Sequence, residues 1–242
     1  MKILALDSSG IVASVAVIED DILLAEYTVN YKKTHSQTLL PMLDEVVKMT
    51  ELDLETIDAI AVAAGPGSFT GLRIGSATAK GLGLALKKPL IAVPTVDALA
   101  YNLYDSRALI CPIMDARRSQ VYTGIYRFQE HKLVTVEAQM AVPMAEMIEK
   151  LNARGEEVVF LGDGVPVFGK MIQENLKVPY SFAPAHVNKQ RAAAVAALGS
   201  IYYKEGRTQT DVEHVPEYLR VSQAERERAE REKAQKQAGT TV

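Results

Sequence analysis

Residues 65 to 75 read GPGSFTGLRIG, directly after the apolar run AIAVAA (residues 59 to 64) and directly before the small-residue stretch SATAKGLGLAL (residues 76 to 86). The order is strand, glycine-rich turn, helix. Turns of this kind often cradle phosphate, and the spacing decides whether this one does. A P-loop requires G-x-x-x-x-G-K-[ST]. Here the glycines after Gly65 come two and six positions later, and Leu72 stands where the lysine would be. The dinucleotide fingerprint begins with Gly65 and Gly67 but meets Thr70 in place of its third glycine. Pro66 also lacks the backbone N–H that a phosphate cradle would use. The turn therefore serves another purpose.

The helix after the turn shows that purpose. Gly71, Gly75, Ala79 and Gly83 lie four apart, so on a helix they form one stripe without side-chain bulk. Each internal glycine costs a helix about 1 kcal/mol relative to alanine, and close packing of the stripe offsets that cost. The packing partner is either the protein's own sheet and first helix or another chain. The preceding helix, in THSQTLLPMLDEVVKMTEL from Thr34, favours another chain. Leu40, Leu43 and Val47 define one apolar side of it, and Met42, Val46 and Met49 define a second. One side suffices for the sheet, and methionines suit an adaptable contact surface. Leu40, Met42, Leu43, Val46 and Met49, with Gly71, Leu72, Gly75, Ala79 and Gly83, are therefore expected to form a partner interface. Thr34 and Gln37 have capping-box spacing at the start of the first helix.

Outward from this stretch the order is regular. Residues 3 to 6, 11 to 18 and 22 to 29 read as a strand meander, followed by the first helix, the strand at 59 to 64, the glycine turn with its helix, and the strand PLIAV (89 to 93). After a short helical DALAYNLY, a second set begins with ALICPIMDA, SQVYTGIYRF and KLVTVEAQ. A helix at 143 to 153, a strand at 158 to 162, a helix near 166 to 176 and an alanine-rich helix at 191 to 206 complete it. This is an α/β chain of two related halves, divided as 1 to 100 and 101 to 221. The tail, 222 to 242, alternates acids and bases and reads as a solvated extension.

In a chain of 242 residues, 48% hydrophobic and 24% charged, there is enough apolar surface for a sizeable core. A net charge of -3 gives no general attraction to nucleic acid, so any RNA contact needs a local patch or a partner. The single cysteine, Cys111, cannot form an internal disulfide, and no run reaches membrane-spanning length. A reduced cytoplasm is the expected location.

Two turns carry the remaining chemistry. Asp7-Ser8-Ser9-Gly10 joins the first two strands, and Asp115-Ala116-Arg117-Arg118 occupies the same place in the second half. The two turns resemble the paired phosphate-holding hairpins of actin-like ATPases, and by that resemblance Asp7, Ser8, Ser9, Arg117 and Arg118 are candidate anion or nucleotide contacts, although bulky arginines replace the glycine that close backbone approach would need. The GDG at residues 162 to 164 is a further candidate turn. His35, His131, His186 and His214 are scattered, so no metal pair is expected, and Ser36 beside His35 gives no triad geometry.

The segments ILALDSS, THSQTLLPML, AGPGSFTGLRIG, PTVDALA, MDARRSQVY and VPEYLR, spread over residues 1 to 220, resemble the TsaB (YeaZ) family. The resemblance implies two subdomains of the actin-like, Hsp70-like ATPase superfamily, the second reduced. It implies an accessory, noncatalytic role in making threonylcarbamoyladenosine beside the tRNA anticodon. TsaB-like proteins pair through their first two helices with the catalytic subunit TsaD and recruit the ATPase TsaE. They self-associate as a homodimer in isolation. By the same resemblance the chain needs no cofactor of its own, and the assembled complex uses ATP and magnesium. An ATP-dependent small-molecule kinase of the same fold is the alternative.

Overall fold

A computed structural model describes residues 1–220; the tail expected at 222 to 242 lies outside the described residues. The first half is a five-stranded sheet of β1 (Lys2–Asp7), β2 (Val12–Glu19), β3 (Ile22–Asn30), β4 (Ala59–Gly65) and β5 (Leu90–Pro94), in the order β3-β2-β1-β4-β5. The meander β1 to β3 is antiparallel; β4 and β5 run parallel to β1. The second half repeats this with β6 (Leu109–Asp115), β7 (Gln120–Gln129), β8 (Lys132–Pro143), β9 (Val158–Leu161) and β10 (Tyr180–Phe182), in the order β10-β9-β6-β7-β8. Each half is a meander followed by parallel strands on its first strand, which is the actin-like scheme. The short β10, bounded by prolines, has too little period to be read from sequence.

Side-chain alternation along β1 explains the layers. Ile3 and Ala5 face one way, against α3 (Thr95–Tyr101) and α6 (Ala192–Lys204). Leu4 and Leu6 face the other, under α1 (His35–Met49) and α2 (Phe69–Leu86). Because successive strand side chains point to opposite faces, one strand feeds two cores. The second sheet packs Leu109, Cys111 and Ile113 against α4 (Met144–Arg154) and α5 (Val165–Asn175). Its opposite face packs Ile110, Met114 and Leu161 against Val96, Leu99 and Ala100 of α3. Thus α3 is shared, with Ala98 in the first core and its neighbours in the second. Burial pushes the Cys111 thiol up to about 12, as befits a core residue.

Three expectations are corrected by this architecture. The division at residue 100 puts α6 in the second half, yet α6 packs on the first sheet. Its alanine-rich face lies flat there, and a Cβ at Gly199 would come within 2.8 Å of Ala61 Cβ. Thr34 and Gln37 do not form a capping box, because the Thr34 hydroxyl donates to Gln37 Oε1 (2.8 Å) and makes no cap bond to the backbone. The two apolar sides expected for α1 are one. Leu39, Met42, Leu43 and Val46 follow i, i+3, i+4, i+7 and all enter the core beneath the helix.

Candidate functional site

The glycine stripe of α2 faces inward. Gly71, Leu72, Gly75, Ala79 and Gly83 are all buried by their own subunit. A Cβ at Gly71 would fall on the Ser8 carbonyl oxygen, one at Gly67 on the Ser9 carbonyl, and one at Gly75 within 2.5 Å of Ser8 Oγ. At Gly83 it would meet Leu90 Cδ2 at 2.9 Å. The helix thus lies directly on the turn between β1 and β2, at a distance only glycine permits. This overturns the reading of these residues as a docking ridge for another chain. The same correction holds for Met42, Leu43 and Val46, which are buried in the first core. Four-residue spacing tells which residues share a face; the turn they rest on, some sixty residues earlier, decides which way that face looks.

Hydrogen bonds complete the seating. Ser8 Oγ donates to the Gly71 carbonyl (2.9 Å) and Ser68 N to the Ser9 carbonyl (2.7 Å), while Ser68 Oγ caps α2 by accepting from Gly71 N. Asp7 is buried and accepts from both the amide (2.9 Å) and hydroxyl (2.6 Å) of Ser9. Burial pushes its carboxyl up to about 6, with the Ser9 bonds pulling the other way. His35, at the start of α1, donates Nε2 to the Gly10 carbonyl (2.8 Å), a local structural bond. The polar side chains of the DSSG turn are therefore engaged within the chain. Ser8 Oγ donates to the Gly71 carbonyl and Ser9 Oγ to Asp7, while Ser9 also lines the cleft between the two halves.

Between the halves lies a cleft of about 660 Å³. The DSSG turn, the residues preceding α2, the β6–β7 turn and the GDG loop all reach it, with Ser9, Gly67, Arg117 and Asp163 among its walls. Arg117, Arg118 and Ser119 are three consecutive residues in left-handed backbone, which swings both arginines to the surface. Arg117 pairs with Asp115 (3.2 Å) and lines the cleft; Arg118 is exposed. Asp163 accepts from Asp115 N (3.2 Å), and burial raises its carboxyl above the usual range. Phe69, Tyr218, Leu219 and Arg220 also line this space. Sequence reasoning gives the segment VPEYLR no place in a site. Its aromatic and arginine in a polar stretch are the available signal.

The outward faces of α1 and α2 complete the picture. Leu40 (54%) and Met49 (78%) of α1 and Leu84 (68%) of α2 are exposed. Ala77, Gly81 and Ala85 lie beside Leu84 on the outer side of α2, and a Cβ at Gly81 would meet nothing within 4 Å. A surface of small residues with isolated large apolar groups is what close helix contact with another molecule requires.

Comparison with known proteins fits this architecture. A solved structure of YeaZ from Pseudomonas aeruginosa superposes with a TM-score of 0.77 at 26% identity, covering 90% of this chain and 99% of that one. The family model described as TsaD, tRNA N6-adenosine threonylcarbamoyltransferase, matches residues 23–228. The tRNA threonylcarbamoyladenosine biosynthesis protein TsaB of Bacillus subtilis is 35% identical over 225 residues, 93% of this chain and 96% of its own length. The chain belongs to the TsaB family. The Escherichia coli TsaB protein is 30% identical over 91% of this chain and 95% of that protein. For this TsaB-family chain the family-model match, residues 23–228, takes in the glycine stripe of α2, the whole second sheet and the segment that lines the cleft. Among its described residues no helix is long and apolar enough to cross a membrane.

Proposed function

We propose that this chain is a noncatalytic subunit in the formation of threonylcarbamoyladenosine in tRNA. It pairs through the outward faces of α1 and α2 with a TsaD-like catalytic subunit, and the pair recruits a TsaE-like ATPase. Family membership supports the pathway, and one observation supports the pairing face. Gly81 sits in the middle of an 18-residue helix with open space where its side chain would be. Among the described residues nothing explains the roughly 1 kcal/mol that glycine costs there. A partner helix packed against Ala77, Gly81 and Ala85, with Leu84 and Leu40 inserted, accounts for it. The same face supports a homodimer when the partner is lacking.

The inward engagement of Ser8 and Ser9 supports assigning ATP and magnesium to the other subunits of the complex, and tRNA reaches this chain through them. A cytoplasmic setting follows from that role. The kinase alternative draws on the cleft between the halves, and calorimetry of the isolated chain with ATP and magnesium separates the two. Tight binding with turnover would replace the present reading. The pairing itself is tested with Leu84→Asp, assayed by size-exclusion chromatography with light scattering alongside the TsaD-like subunit. The variant is expected to elute alone with its melting temperature unchanged. Undiminished co-elution would refute the assigned face.

A further inference from the structure

After α6 the chain crosses back over the molecule, and its course joins the two halves. Gln209 pairs with Leu90 at the edge of β5 through two backbone bonds of 2.8 Å. His214 is buried against α2. Its Nδ1 donates to Gln209 Oε1 (3.1 Å), its Nε2 meets Ser76 Oγ (2.9 Å), and its carbonyl accepts from Lys80 (3.1 Å). Glu217 N donates to the Ala64 carbonyl (2.7 Å). The Glu217 carbonyl then lies where a Cβ of Gly65 would stand, a second reason for glycine at a residue whose φ is 121°. Tyr218 stacks on Phe69 with ring centroids 4.7 Å apart. All of these contacts hold the segment to the first half.

Two further bonds reach the second half. Gln139 Nε2, on β8, donates to Glu217 Oε2 (2.8 Å), and the Arg220 guanidinium donates to the Ala116 carbonyl at the β6–β7 turn. Between them Tyr218, Leu219 and Arg220 form part of the cleft wall. Elsewhere the halves meet along α3, where Asp97 accepts from Tyr126 of β7 (2.7 Å). The molecule is thus joined along α3 and fastened again by the segment beside the cleft.

We propose that residues 209–220 are a clasp that holds the two halves closed over the cleft, released at Glu217–Gln139 and Arg220–Ala116 while its anchors on the first half stay in place. Entry to the buried floor of the cleft at Met114 then depends on clasp release and not on unfolding. This inference does not depend on the proposed function.

Thiol labelling of the full chain tests it. Met114 lines the cleft and is 3% exposed, so a M114C thiol reports opening there. The native Cys111, three residues earlier on β6, is sealed in the core against α4 and serves as the internal control. Removing both cross-half bonds with Q139A and R220A is expected to accelerate labelling of M114C by a dithiobenzoate reagent about tenfold, the change that loss of two ordinary hydrogen bonds gives. Cys111 labelling is expected to stay as it was. Unchanged M114C labelling would overturn the clasp. Equal acceleration of both thiols would overturn it too, because the second half would then be opening by unfolding.

Discussion

On the inward side of α2 a Cβ added to Gly75 would stand 2.5 Å from Ser8 Oγ, whereas one added to Gly81 on the outward side meets nothing within 4 Å. The two residues are six apart on the same helix and carry the same cost in helix propensity. The first is required by the fold, because α2 has to rest on the turn between β1 and β2. The second has no reason among the described residues of its own subunit. Composition alone cannot separate these cases, since both faces are built of glycine and alanine. What separates them is whether another atom of the same chain already occupies the space.

Substitutions that add bulk should therefore act differently on the two faces. The largest effect is expected at Gly75→Leu or Gly71→Leu, where the side chain would overlap the DSSG turn. A loss of more than about 4 kcal/mol in urea unfolding is expected, in the range reserved for severe overpacking. A well-folded Gly75→Leu protein of near-normal stability would show that the inward seating is not tight.

The turn beneath that face supplies a test by pH. Burial raises the Asp7 carboxyl from its ordinary 3.8 to about 6, so between those values the folded chain binds a proton that the unfolded chain does not. Asp7 therefore lowers stability above about pH 6, and the penalty fades as the pH falls toward 4. Asp7→Asn keeps the carbonyl acceptor for Ser9 and removes the charge. Its melting temperature is expected to exceed the parent's at pH 7 and to converge on it near pH 4. A constant difference across that range would contradict the assigned burial of the charge.

The smallest effect is expected at Gly81→Ala on the outward face. It fills open space and gains about 1 kcal/mol of helix propensity, equivalent to a rise of roughly 2–4 °C in melting temperature for a domain of this size. A drop in melting temperature would mean that a hidden contact of the same subunit crosses Gly81.

Much of this arrangement is legible in the sequence. The repeated meander is visible in strand length and alternation, and the four-residue spacing of Gly71, Gly75, Ala79 and Gly83 correctly signals a close approach. The direction of that approach is not legible, because its partner is Ser8, far away in sequence and ordinary in type. The first helix misleads for a related reason. Residue type groups Met42 with Met49, yet their helical positions place one in the core and the other in solvent. At the cleft, Ser9 and Arg117 are found from their turns, whereas Asp7 and Ser8 of the same candidate set are buried and do not line it. Asp163 is found from its GDG turn, whereas Phe69 and the segment ending at Arg220 converge there only through long-range backbone pairing, such as Glu217 with Ala64.

The central claim is that the outward face of α2, and not the glycine stripe, receives the partner. Its most direct test is the affinity of Gly81→Leu for the TsaD-like subunit, titrated by calorimetry with the variant's melting curve recorded in parallel. The account predicts an unchanged fold and a loss of at least about a hundredfold in affinity, the scale of a disrupted interface centre. Binding at the parent's affinity by a normally folded Gly81→Leu protein would contradict it.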